Sequence, residues 1–169
     1  MKNLLQPHTP IDNINIDTSF ELTKHQVFLT FTVSGVLENY IFSEKIKEKR
    51  AHELWKETCF ELFLANSKEK GYYELNISPS MEWNFYYLHK YRAKVKEVED
   101  ISLTIDSYIK DNNYIINVNM ESKYLNFEDL NLYNIAAILL NKKEKRTFWA
   151  LNSTNLTPDF HNKKFFSYY

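Results

Sequence analysis

A chain of 169 residues has room for one sizeable core but not for two comfortable ones, so a single domain over residues 1–169 is expected. A formal net charge of −1, with 25% charged residues, gives no electrostatic basis for holding nucleic acid or an anionic membrane. A lone cysteine excludes an internal disulfide and a Cys-rich metal site, and five histidines scattered without ligand spacing offer no metal centre or cofactor site.

The opening MKNLLQPHTPIDN turns polar at Gln6 before a secretory apolar core can form. No apolar stretch approaches the roughly 18 residues needed to span a bilayer. A cytoplasmic location is therefore expected, in which the Asn-X-Ser/Thr triplets at Asn76, Asn152 and Asn155 are chance matches. Residues 27–33 set Val27, Leu29, Phe31 and Val33 against Thr30 and Thr32, the period-two pattern of a half-buried strand. Residues 39–43 read as a strand edge. Residues 44–55, densely charged until Leu54 and Trp55, fit either a helical turn or an exposed loop.

The clearest alternation follows. Residues 58–65 oppose Phe60, Leu62 and Leu64 to Cys59, Glu61 and Phe63, with Cys59 in the place of a small buried hydrophobe. Residues 72–78 oppose Tyr73, Leu75 and Ile77 to Tyr72, Glu74, Asn76 and Ser78. The short polar loop between them predicts an antiparallel hairpin. Pro79 cannot donate to a ladder, so the chain turns over residues 78–81 and a third strand, 82–89, runs on to Arg92. A charged connector, 94–100, leads to a second hairpin, 101–110 with 114–120, around Asp111, Asn112 and Asn113. Residues 132–140 are nearly all apolar and read as a strand buried on both faces. The basic run at Lys142 to Arg146 reads as a solvated turn, residues 146–151 as the last strand, and the aromatic tail TPDFHNKKFFSYY as a loop packed back on the body.

Aromatic residues make up 16% of the chain, which favours pleated surfaces, while two glycines are few for a β protein. Its turns must use Asn, Asp, Ser and Lys instead. Roughly eight to ten short strands at intervals of about ten residues predict an all-β fold, an antiparallel β-sandwich or barrel.

The central strands carry Glu61, Glu74, Asn76, Trp83 and Arg92, with Trp55 just before them. If register brings these groups together, carboxylates and an amide take hydroxyl pairs while an indole covers the apolar face of a sugar ring. A solvated polar face is the competing reading, because the sequence does not fix the register. Each of Trp55, Trp83 and Trp149 is either a ligand platform or core packing, with Trp55 and Trp83 the better placed as platforms. Arg92 either clamps a ligand or pairs with Glu61 or Glu74. In Pro158-Asp159-Phe160-His161, Asp159 suits a turn cap and His161 a hydrogen bond across the end of the sandwich, since no nucleophile motif accompanies them. These residues favour a non-enzymatic small-ligand-binding module. Two alternatives remain open: a hydrolase or isomerase acting on a sugar through Glu61 and Glu74, and a protein-interaction module using the aromatic sheet or tail.

The segments LWKETCFELFL, YYELNISPSMEW, Tyr91-Arg92, FWALN and PDFH resemble the DOMON-like domains related to family-nine carbohydrate-binding modules, and more closely a small intracellular bacterial subgroup of them. The resemblance runs from about Phe20 to Phe166. It implies a β-sandwich of immunoglobulin-like or jelly-roll appearance with a ligand pocket on one sheet. In the sugar-binding branch, tryptophans clamp the saccharide and acidic or amide side chains bond its hydroxyls; Trp55, Glu61, Glu74, Asn76, Trp83 and Arg92 stand in the matching segments. With a cytoplasmic location expected, a soluble saccharide, such as a cell-wall precursor or recycling fragment, suits the chain better than a polysaccharide. The chain departs from the subgroup at Met81, where a glycine is usual, and at Asn152 and Ser153, where a histidine is common. Met81 and His89 do not match the axial-ligand motifs of the haem-binding branch.

Overall fold

The computed structural model describes residues 1–152 and 157–169; Ser153, one of the two positions where a histidine is common in the subgroup, and Asn155 of the last Asn-X-Ser/Thr triplet lie outside them. In chain order the strands are β1 (Lys2–Leu4), β2 (Gln6–Pro7), β3 (Ile14–Leu22), β4 (Gln26–Gly35), β5 (Lys49–Arg50), β6 (Cys59–Ala65) and β7 (Tyr72–Ile77). They continue with β8 (Glu82–Leu88), β9 (Lys96–Glu97), β10 (Ser102–Lys110), β11 (Asn113–Glu121), β12 (Leu132–Leu140), β13 (Arg146–Ala150) and β14 (Ser167–Tyr168). One sheet has five strands in the order β1-β3-β4-β11-β10. The other follows β2-β13-β12-β6-β7-β8-β5, with β14 also on β12 and β9 on β8. All pairs are antiparallel except β5 with β8, and the two sheets pack as an all-β sandwich.

The alternation read in the sequence builds the layer between the sheets. Val27, Leu29, Phe31 and Val33 face Phe60, Leu62, Leu64, Leu75 and Phe85, all almost fully buried. Phe31 of the small sheet meets Phe60 of the large one at 4.8 Å between ring centroids. Each such ring contributes about 1.5–3 kcal/mol by leaving water.

Strand β3 was not legible, and it supplies Ile14, Ile16, Phe20 and Leu22 to the same core. Residues 39–43, expected as a strand edge, hold only the end of a 3-10 turn (Leu37–Asn39) and a single bridge from Tyr40 to Asn141. Residues 44–55 resolve into irregular chain, the short β5 and the start of a 3-10 turn (Leu54–Lys56). No helix among the described residues is long and apolar enough to cross a membrane.

Turn chemistry follows the shortage of glycine. Gly35 has φ +111°, and a Cβ there would stand 2.0 Å from the Asn13 carbonyl oxygen. Asn13, Asp111 and Asn112 take positive φ as expected, but so do Glu53, Met81, Arg92 and Glu144. Met81, the departure from the usual glycine, keeps glycine-like geometry at φ +75° in a side chain that L-residues rarely place there.

The outer face of the large sheet is not solvated. Phe63, Tyr72, Tyr86, Leu132 and Ala136 form a second apolar cluster there, closed over by Phe160 and Phe166 of the tail. This explains why β12 is apolar on both sides, as its sequence indicated. The tail packs back as expected: Lys163 Nζ donates to the carbonyls of Asn66 and Glu69 at 3.0 and 2.6 Å, and β14 adds to β12.

Candidate functional site

Register decides which polar groups meet. Glu61 on β6 lies opposite Asn76 on β7, and Asn76 opposite Asn84 on β8; Glu74 lies opposite Phe63 and Tyr86. Glu61, Glu74 and Asn76 therefore share the outer face. The two glutamates occupy diagonal positions whose Cα atoms stand roughly 7–8 Å apart in such a ladder. Both are buried, Glu61 at 3% exposure and Glu74 at 6%. They form the floor of an open cavity of about 420 Å³ that the connectors and the tail wall in.

Trp55 stands at the mouth. Its turn is held by bonds from Lys56 N to Glu53 O (3.0 Å) and Glu57 N to Leu54 O (3.1 Å), entered through Glu53 at φ +58°. The indole stays 43% exposed, as a platform must. Strand β13 closes this side. Its outward residues Arg146 and Phe148 line the cavity, with the Arg146 guanidinium 6.0 Å from the Trp55 ring and Nη1 donating to the Trp55 carbonyl at 3.3 Å.

Arg92 lines the opposite wall. Its partner is Asp159, not Glu61 or Glu74: Nη2 reaches Asp159 Oδ1 at 3.2 Å, Nε donates to the Tyr91 hydroxyl at 3.2 Å, and that hydroxyl donates to Asp159 Oδ2 at 2.9 Å. Asp159 therefore latches the tail across the sheet. His161 follows in the same segment and lines the cavity; its Nδ1 is 2.9 Å from the Tyr72 hydroxyl, a bond that ties the tail to the outer face of the large sheet rather than crossing the end of the sandwich as expected.

Burial sets the protonation of this cluster. It pushes the Glu61 carboxyl well above its ordinary range, and the neighbouring charge of Glu74 pushes it further. Glu74 is also raised by burial, an effect opposed by the 2.8 Å bond from Asn76 Nδ2 and by Arg92. Burial, aided by Arg92, holds the His161 imidazole down at about 4. The 3.8 Å approach of His161 Nδ1 to Glu74 Oε2 is consequently no ion pair at neutral pH, because the ring is uncharged there. A carboxyl that keeps its proton donates as well as accepts, so raising Glu61 favours a floor able to offer both functions to a hydroxyl pair.

A pH dependence follows. The folded chain holds the Glu61 proton more tightly than the unfolded one, so this contribution to stability is complete below the ordinary value of 4.5 and is lost as pH rises through the raised value. Glu61→Gln removes that titration. Thermal melts at a series of pH values should show the variant gaining on the native chain as pH rises, with no gain in acid; parallel curves would contradict this. His161 acts in the opposite sense, losing stability as pH falls from 6.5 towards about 4 in both proteins.

The remaining expected residues lie elsewhere. Asn76 is buried beside Glu74 and does not line the cavity; its Oδ1 has no hydrogen-bond partner among the described residues. Trp83, 6% exposed, packs between the sheets under the Arg50 guanidinium, 4.4 Å from its ring. Trp149, 1% exposed, lies in the same layer with Nε1 donating to Thr147 Oγ1 at 3.0 Å. Neither indole reaches the cavity. Cys59 is buried as expected, and burial pushes its thiol up, away from reactivity. Sequence reasoning missed Arg146, Phe148 and Ile138 as cavity residues. The alternation Arg146-Thr147-Phe148 carried the only signal for the first two.

No protein-family profile and no curated protein matches the sequence. Solved structures do. A protein of Bacteroides uniformis ATCC 8492 proposed to bind carbohydrate aligns with TM-score 0.68 at 12% identity, over 99% of this chain and 84% of that one. A family-nine carbohydrate-binding module of Caldicellulosiruptor kristjanssonii aligns in its glucose complex with TM-score 0.53 and 9% identity, over 99% and 82% of the two chains. Its cellotriose complex gives 0.54 and 8%, over 99% and 80%. What the chain shares with these proteins at such identities is the fold: it is a β-sandwich built like a family-nine carbohydrate-binding module.

Proposed function

We propose that this chain is a binding module that takes a saccharide into the cavity on the outer face of its large sheet, without turning it over. One observation carries the reading: an exposed indole, two buried carboxyls and two guanidinium groups, drawn from separate segments, line a single hollow. Its size of about 420 Å³ falls within the span of small-ligand sites. Trp55 would cover the C–H face of a sugar ring, while Glu61 and Glu74 bond its hydroxyls and Arg92 completes the rim. The similar Caldicellulosiruptor module, which holds glucose and cellotriose in its solved complexes, supports a saccharide of this kind.

Calorimetric titration across a sugar panel tests the proposal. Saturable binding of at least one mono- or oligosaccharide is expected, with a loss of at least about tenfold in Glu61→Ala from the hydrogen bonds removed. Unchanged affinity in that variant would reject the site. The raised carboxyls also suit a glycosidase's acid and base. Turnover of a glycoside by the native chain, lost in Glu61→Gln, would move the reading there.

A further inference from the structure

Most cations around the cavity are already engaged. Asp159 holds Arg92 at 3.2 Å, Glu53 holds Lys56 at 2.6 Å, and Lys163 donates to backbone carbonyls. Arg146 differs. It lines the cavity mouth and has no carboxylate within ion-pair distance among the described residues. The bond from Nη1 to the Trp55 carbonyl is the one hydrogen bond of its side chain among those residues, which leaves most of the guanidinium's five donors uncommitted.

Its surroundings favour an anion. The turn that delivers Arg146 also carries Lys142, Lys143 and Lys145 against a single Glu144, so the field at this lip of the cavity is positive. Burial raises the carboxyls of both Glu61 and Glu74 and so reduces the negative charge that the floor sets against it. Phe148 and Trp55 flank the guanidinium at 5.8 and 6.0 Å, and Arg146 is itself exposed, open to a ligand entering at the mouth.

We propose that the saccharide taken by this cavity is acidic, and that Arg146 grips its oxyanion, a carboxylate or a phosphate, beside the Trp55 ring. The inference rests on reading the cavity as a saccharide site. The competing role is structural: Arg146 merely props the Trp55 turn.

Calorimetry with matched sugars separates these roles: glucose, glucuronate and glucose 6-phosphate, and the corresponding galactose series. In at least one series an acidic member should bind more tightly than its neutral parent, and which one does so identifies carboxylate or phosphate as the anion. Arg146→Gln should weaken that acidic sugar about 10- to 100-fold, the loss expected for a charge-assisted bond, while changing the neutral parent by no more than a few-fold. Arg146→Lys should recover part of the loss, and added salt should weaken the acidic sugar selectively. Neutral parents binding as tightly as their acidic partners would overturn the inference and leave the saccharide reading intact. So would Arg146→Gln weakening both alike, since a mere prop for Trp55 would act on both. If no sugar in either series binds, the saccharide reading falls and this inference with it.

Discussion

Replacing Trp55 by alanine should cost saccharide binding about 2–3 kcal/mol, roughly 30- to 150-fold in affinity, while leaving the fold almost as stable as before. The expectation comes from where the ring stands. It is 43% exposed at the cavity mouth, its carbonyl and not its indole accepts the bond from Arg146, and no indole hydrogen bond ties it to the body among the described residues. Truncation therefore removes a contact surface for ligand and little packing, with a stability change held below about 1 kcal/mol. Calorimetric titration alongside thermal melts reads both quantities. A variant that melts far lower, or that binds as the native chain does, would show that the indole serves the core or serves nothing at this site.

The opposite result is expected at Trp149. Its ring is 1% exposed in the layer between the sheets, and Nε1 donates to Thr147 Oγ1 at 3.0 Å. Alanine there leaves a void where packing is dense and should destabilise the chain by about 3–5 kcal/mol. Chemical denaturation should report that loss as a lower midpoint with little change in slope. If enough variant folds to be titrated, its saccharide affinity should stay within a few-fold of native, because Trp149 does not line the cavity. On the proposed function, two tryptophans of one chain are thus expected to divide into one that binds and one that supports. A stable Trp149→Ala variant with lost affinity would reverse that division.

How much of this was legible in the sequence depended on register. Period-two alternation placed Phe60, Leu62 and Leu64 on one face of β6 and Glu61 on the other, and the structure agrees. It also placed Glu61, Glu74 and Asn76 on one side once β6 and β7 were paired. Trp83 misled because its partner was not visible. Ile77 lies directly opposite it, so the indole follows Ile77 and Leu75 into the core, away from Glu74 and Asn76. Strand β3 alternates through Ile14, Ile16, Phe20 and Leu22, but Thr18 occupies the central inward position and interrupts the apolar series.

Other features lay beyond any local pattern. The pairing of Arg92 with Asp159 spans 67 residues, and no periodicity encodes such a contact. The same applies to the tail that covers the large sheet: its aromatic content suggested docking, but not which face it would close. That covering changed the chemistry most. Glu61 and Glu74 on a solvated face would be ordinary carboxylates, whereas under the tail they are buried neighbours that favour keeping a proton.

The most direct measurement is a saccharide titration followed by the indole N–H resonances of ¹⁵N-labelled protein, one each from Trp55, Trp83 and Trp149. With a ligand drawn from the calorimetric panel, the Trp55 resonance should move progressively to saturation while those of Trp83 and Trp149, enclosed between the sheets, hold nearly still. A saccharide that binds and leaves the Trp55 resonance in place, or that moves the two core indoles instead, would contradict a site in this cavity.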